Sequence, residues 1–153
     1  MKPSLDLRLT PPEYEAISSR YFNEGRKQES WVLGDIVISG SVLTTSASMF
    51  STYASPTDES GFHLSVFTAL EMASQVQIIY AHAWAGWTQK TKEGWMIECS
   101  NRISAPIRNP RHINLEMRVS SMRKIRENLF CIADYRLTDN TGGLFELRIK
   151  ALS

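Results

Sequence analysis

The sequence has little cysteine, little histidine and almost no net charge. Its two cysteines, Cys99 and Cys131, stand at no metal-ligand spacing, which excludes a disulfide framework and a zinc module. Both read as buried packing thiols, and a reducing cytoplasm is the expected compartment. Three scattered histidines, His63, His82 and His112, supply no ligand set, so no metal is expected. No glycine-rich phosphate loop or dinucleotide fingerprint is present, and no nucleotide cofactor is expected either. A net charge of +1 removes the bulk attraction on which nonspecific nucleic-acid binding depends. The N-terminal stretch MKPSLDLRLTPPEYE lacks the basic-then-apolar order of a secretory signal. No internal repeat or low-complexity tract interrupts the chain.

What is present belongs to an ordinary globular protein. With 153 residues, 42% of them apolar and 22% charged, the chain is long enough for one core, so a single domain over 1–153 is expected. Charge is unevenly spread: residues 1–60 hold five Lys/Arg against eight Asp/Glu, whereas 102–126 hold seven against Glu116 alone. The second stretch suits an anionic partner, although such a set is more often a solvated face.

Local patterns divide the chain. Residues 11–22 open with prolines after Thr10 and space Tyr14, Ile17 and Tyr21 as on a short amphipathic helix. Residues 31–53, rich in Val, Ile and Thr with glycines at 34 and 40, predict two strands joined by a tight turn. A loop follows over 55–61. Residues 63–87 lack proline and carry one formal charge, Glu71, which predicts a long helix apolar nearly all round and enclosed on most sides. Glu71, Ser74, Gln75, Gln77 and His82 within it argue against a membrane span. His82, Trp84 and Trp87 read as structural, the tryptophans packing under a sheet. Four strands are then predicted, over 95–103, 113–121, 129–137 and 144–151. The last alternates cleanly, and TDNTGG before it signals a hairpin.

Two strands, one long helix and four antiparallel strands are accommodated by a sheet wrapped around a single central helix, an α+β arrangement. Particular residues sharpen this. Asn101-Arg102-Ile103-Ser104-Ala105-Pro106-Ile107-Arg108-Asn109-Pro110, followed by Ile113 and Leu115, resembles the strand, Pro-aliphatic-x-Pro, strand pattern of hotdog-fold proteins. Leu70-Glu71-Met72-Ala73-Ser74-Gln75 resembles the acid-x-x-x-Gln segment of hydroxyacyl-carrier-protein dehydratases. Over 31–151 the chain is most similar to the FcoT-like long-chain acyl-CoA thioesterases, with His63 twelve residues before Gln75 and with Asn140-Thr141-Gly142-Gly143. It departs from them at Ser74, where that family has Asn, and at Leu64 and Ser65, where it has polar residues. The resemblance implies a homodimeric acyl-thioester enzyme with active sites where protomers meet.

The residues allow the same chemistry on their own terms. Glu71, Gln75, Ile78 and His82 fall within about 60° of one another on a helical wheel. A carboxylate in an apolar enclosure is suited to acid or base work, and Glu71 is the expected catalytic group. His63 is expected to orient or protonate the substrate, with a simple cap or packing role as the alternative. Ser74 and Gln75 would position the substrate, and backbone N–H groups around Ser65 and Val66 at the helix start would hold an oxyanion. Arg108, Arg111, Arg123 and Lys124 would meet coenzyme A phosphates or an acyl carrier protein. Three readings stay open. The first is hydrolysis of an acyl-CoA or acyl-carrier-protein thioester. The second is dehydration of a 3-hydroxyacyl thioester, or conjugate addition to an enoyl one. The third is a non-catalytic acyl-binding or interaction module, which expects Glu71 in an ion pair with no open space beside it.

Overall fold

Alternation of apolar and polar side chains builds the sheet. In the computed structural model, which describes residues 6–17, 29–53, 57–58 and 61–153, the strands are β1 (Ser30–Leu33), β2 (Val37–Ser39), β3 (Val42–Ser51), β4 (Trp95–Ala105), β5 (Ile113–Ile125), β6 (Asn128–Thr138) and β7 (Leu144–Leu152). All pair antiparallel in the spatial order β1-β3-β5-β6-β7-β4, and β2 also pairs with β3. The strand expected ahead of the first tight turn is broken in two. β1 and β2 follow one another along β3, and across the break Gly34 N–H donates to Ser46 O at 2.8 Å while Thr45 Oγ1 donates to Asp35 O at 2.9 Å. The N-terminal helix α1 spans Pro11–Glu15, shorter than expected, and residues 18–22 of that expectation lie outside the described residues.

The second helix, α2, spans Val66–Trp84. Ser65 caps it, its Oγ accepting from Thr68 N–H at 3.2 Å, which satisfies one of the free donors at a helix start. Gly86, at φ 76°, supplies the left-handed turn beyond its end, and Trp87 N–H bonds back to His82 O at 2.9 Å. One face of α2 is buried through Thr68, Ala69, Met72, Ala73, Val76, Gln77, Tyr80 and Ala81, and this face lies over β5 and β6. Alanines at 69, 73 and 81 bring the helix close to the sheet, and full burial of side chains such as Met72 and Val76 contributes about 1.5–3 kcal/mol each. A sheet around one long helix is the hotdog fold. No helix among the described residues is long and apolar enough to cross a membrane.

His82 is structural, as expected. It is buried, its Nδ1 meets Ile78 O at 2.9 Å, and its Nε2 accepts from Thr91 N–H at 3.0 Å and Lys92 N–H at 3.3 Å. An Nε2 that accepts requires the proton on Nδ1, so the ring ties the segment after α2 to the last helical turns. Trp87 stands edge-on to this ring at 5.2 Å. Trp84 does not pack under the sheet but is 48% exposed, because it falls on the flank of α2 that no strand among the described residues covers.

The outward face of the sheet carries a grid of alternating charge. One row across β5, β6 and β7 reads Arg118, Asp134, Arg148, and the next row reads Glu116, Arg136, Glu146 and, on β4, Arg102. Arg148 donates to both carboxylate oxygens of Asp134, at 2.9 and 3.0 Å. This face is solvated and internally neutralised, in keeping with the near-zero net charge.

Asp139, at the end of β6, joins two segments distant in sequence. Its Oδ2 accepts the N–H groups of Arg108 at 2.9 Å and Asn109 at 2.8 Å, and its Oδ1 accepts those of Thr141 at 3.1 Å and Gly143 at 2.9 Å. The Thr141 hydroxyl adds a further bond at 2.8 Å. The Pro106–Pro110 crossover is thereby held against the last hairpin. Their approach is so close that a Cβ on Gly143 would stand 2.6 Å from Ile107 Cα. From there the contacts reach α2, since Ile107 O accepts Leu64 N–H at 2.8 Å just ahead of the cap. Burial pushes the Asp139 carboxyl up, but the bonds from Asn109, Thr141, Gly143 and Arg108 outweigh it and hold it below the ordinary 3.8. The stabilisation is therefore complete above about 3.8, the unfolded value, and is lost as pH falls through the lower folded value. Asp139→Asn is expected to cost on the order of 2 kcal/mol near neutral pH. Urea titrations of both proteins should converge as pH drops below 4, and a constant gap down to acid pH would refute this account.

Candidate active site

Three of the expected site residues, Glu71, Ser74 and Gln75, gather on the flank of α2 that no strand covers among the described residues. Helical spacing puts Phe67, Glu71, Ser74 and Ile78 on this side, and with Trp31, Leu70 and Gln75 they line a groove of about 480 Å³. Trp31, from β1, donates its indole N–H to Glu71 Oε2 at 3.3 Å. This bond fixes one carboxylate oxygen along the groove wall.

Glu71 was expected to be enclosed, and it is exposed instead. The sheet covers only one side of α2, so the apolar run over 63–87 does not correspond to burial all round: Phe67 and Trp84 are also exposed. Gln75 is exposed beside Glu71, and Ser74 is half-buried at the groove floor. Among the described residues the side chains of Ser74 and Gln75 have no hydrogen-bond partner. They are open to a ligand.

His63, Ser65 and Val66 do not line this groove. Glu71 lies five residues, about 7.5 Å, along the axis from the first helical residue. Ser65 is committed as the cap, and Leu64 N–H to Ile107. His63 projects into solvent at the helix start, its Nδ1 2.6 Å from Asp58 Oδ2. Asp58 Oδ1 lies 3.8 Å from Arg108, whose guanidinium also donates to Phe62 O at 3.3 Å. Arg108 is thus a brace for the loop before α2, and its own N–H belongs to Asp139. The four expected carrier-binding residues do not form one patch. Arg108 and Arg111 precede β5, while Arg123 and Lys124 close it, about 40 Å further along an extended strand. Arg123 stacks over Phe130 at 5.2 Å.

Sequence reasoning named Gln77 only as a polar residue of the helix and did not find that it is buried. Gln77 is 3% exposed. Its amide donates to Cys131 O at 3.1 Å and Ile149 O at 3.4 Å, and accepts from Tyr135 O–H at 2.6 Å. A small chamber of about 90 Å³ lies against it beneath α2, lined also by Ile78, Ala81, Ile149 and Ala151. Ser74 and Ile78 belong to both chamber and groove. Burial pushes the Cys131 thiol up to about 11, even with the Gln77 bond lowering it, so it is an inert packing group. Cys99, expected to be buried likewise, is exposed. It pairs with Ile149 and shares the inward face of the sheet, but α2 does not extend over β4. Asn101 and Ile103, paired with Leu147 and Phe145 on that same face, are exposed for the same reason.

The contrast between the two glutamines is testable. Gln77→Leu should cost on the order of 2 kcal/mol, because the Tyr135 hydroxyl loses its partner in the core. Gln75→Leu should stay within about 0.5 kcal/mol. Equal urea midpoints for the two variants would contradict the placement of Gln77.

No protein-family model matches the sequence, and no curated protein matches it. Solved structures do resemble the fold. A hypothetical thioesterase from Streptococcus pneumoniae, solved with coenzyme A, superposes with a TM-score of 0.51 at 6% identity, covering 87% of this chain and 93% of its own. A candidate thioesterase from Shewanella oneidensis gives 0.53 at 9% identity, with coverage of 79% and 82%. The Escherichia coli PaaI protein from the phenylacetic acid degradation operon gives 0.50 at 8% identity, with coverage of 78% and 77%. At these identities the shared property is the fold.

Proposed function

We propose that this chain is a thioesterase, hydrolysing an acyl group from coenzyme A or an acyl carrier protein at the groove on α2. The observation that carries the reading is the groove: the exposed Glu71 carboxylate, bonded to the Trp31 indole, stands on its wall with the uncommitted Ser74 and Gln75 one turn further along. Thioesterase descriptions among the structural neighbours support it, and the coenzyme A in the pneumococcal neighbour favours that carrier.

Glu71 takes a proton from water as the water oxygen attacks the thioester carbonyl carbon. Gln75 and Ser74 donate to the carbonyl oxygen as it becomes negative. The C–S bond then breaks, the acid leaves with the new oxygen, and the thiolate takes up the proton. Acid–base chemistry at a β-carbon needs Glu71 and His63 at one substrate, and within one chain His63 stands outside the groove, so hydrolysis is the favoured reading. The open groove beside Glu71 likewise speaks against a purely structural role. Glu71→Gln keeps shape and removes the base: kcat should fall by about 10²–10⁴ with Tm within a few degrees of the parent. A folded Glu71→Gln protein of full activity would sink the assignment.

A homodimer belongs to this reading. β4 is an edge strand with Trp95 55%, Ile97 54% and Ile103 47% exposed, and its uncovered inward face adjoins the open flank of α2. A second copy pairing along β4 would bury both and close the groove from solvent. Light scattering should give twice the chain mass, and Ile103→Lys should give the chain mass with faster labelling of Cys99 by a thiol reagent. A parent protein that is monomeric at micromolar concentration and still active would rule this out.

A further inference from the structure

We infer that the second copy joins along β4 about a two-fold axis at Ser100, so that Glu98 of each protomer faces the partner's Arg102 across the seam. The inference rests on the homodimer reading above and adds which residues meet in it. β4 is the last strand of the sheet, with no strand beyond it among the described residues. Two copies of one strand that pair antiparallel about an axis normal to the sheet set one residue opposite itself, because the axis passes through that pair. Inward side chains then meet inward ones and outward side chains outward ones, which keeps both cores on one side of a continuous sheet. Naming the residue at the axis therefore fixes the whole register.

Length and charge select the same residue. β4 has 11 residues, Trp95–Ala105, and Ser100 is the middle one, so an axis there pairs the strand along its full extent. On its outward face β4 carries Glu98, Ser100 and Arg102, opposite Lys150, Arg148 and Glu146 of β7. An axis at Glu98 or at Arg102 sets like charges directly against each other, which is destabilising. An axis at Cys99 sets Glu98 against the partner's Ser100, and one at Asn101 sets Arg102 against it, so the charges go unmatched. An axis at Ser100 matches both, twice over. The outward row Glu116, Arg136, Glu146, Arg102 then continues into the partner's Glu98 and Lys150 with its alternation of sign unbroken. Arg148 and Lys150 have carboxylate partners within the protomer, at 2.9 and 3.1 Å, whereas Arg102 makes no ion pair among the described residues. On the inward face the same axis sets Cys99 against the partner's Asn101. The two Cys99 residues then lie on a diagonal, with Cα atoms about 7–8 Å apart, too far for a disulfide without backbone movement.

The test mixes two charge variants of the full chain and follows association by sedimentation. Glu98→Arg and Arg102→Glu should each raise the dimer Kd at least ~10-fold, because each replaces two attractive pairs across the seam by two repulsive ones. An equimolar mixture of the two should associate at least ~10-fold more tightly than either alone, since a mixed dimer restores both pairs. Cross-linking reads the register without relying on charge. Mild oxidation should leave the parent free of interchain disulfide, Asn101→Cys should acquire one through the partner's Cys99, and adding Cys99→Ser should abolish it. A mixture no tighter than its components, or a parent dimer that oxidation links from Cys99 to Cys99, would overturn the register and leave the dimer standing. A parent that is monomeric at micromolar concentration would remove the dimer and the register with it.

Discussion

Asp139 is the joint on which the arrangement of the site depends. One carboxylate gathers backbone donors from the β4–β5 crossover and from the hairpin between β6 and β7. The crossover has prolines at 106 and 110, which donate no backbone hydrogen bond of their own. Without the carboxylate, the N–H groups between them would need water. With it, Ile107 is set at 0% exposure, and its carbonyl receives Leu64 N–H, two residues before the helix begins. The position of α2 is thus fixed at its start by the crossover, at its middle by Gln77 on β6 and β7, and at its end by His82. What it displays on its open flank inherits that rigidity.

The one-sidedness of the packing creates the site. A helix laid over β5 and β6 leaves β4 uncovered on its inward face among the described residues, and Phe67, Glu71 and Gln75 are exposed on the flank of α2. Sheet and helix therefore make an open groove whose floor is a packed core. The buried side is committed: Gln77 is saturated and Cys131 holds its proton to about 11. The reactive capacity lies on the other side of the same helix, three and two positions before Gln77, at Ser74 and Gln75.

The architecture was largely legible because each later strand has alternating side chains and a recognisable turn, as β7 does with Phe145, Leu147 and Ile149 inward against Glu146, Arg148 and Lys150 outward. The long helix was legible from the absence of proline and charge. Its exposure was not, because apolar content does not distinguish a flank covered by its own sheet from one left open. That is why Glu71 and Cys99 were both expected to be enclosed. Gln77 was legible as a polar residue within the helix but not as a buried one, because a buried amide and a solvated one look alike in sequence, and its partners Cys131, Tyr135 and Ile149 come from strands more than fifty residues away. The arginines near β5 read as one cluster because sequence proximity hides the length of an extended strand. The break at Gly34 was visible as a glycine but not as an interruption, since β1 and β2 keep to the same edge of β3.

The alternating charges on the outer face have a consequence for how reliably the chain finds its own register. Asp134 faces Arg148 and Arg136 faces Glu146. If β6 slid along β7 by two residues, inward and outward faces would be preserved and hydrophobicity alone would raise no objection. The same slip would set Asp134 against Glu146, or Arg136 against Arg148, and like charges directly opposite one another are destabilising. Although each ion pair adds little to the native state at equilibrium, the grid acts as an error check on strand alignment, penalising misaligned hairpins that the core would otherwise tolerate.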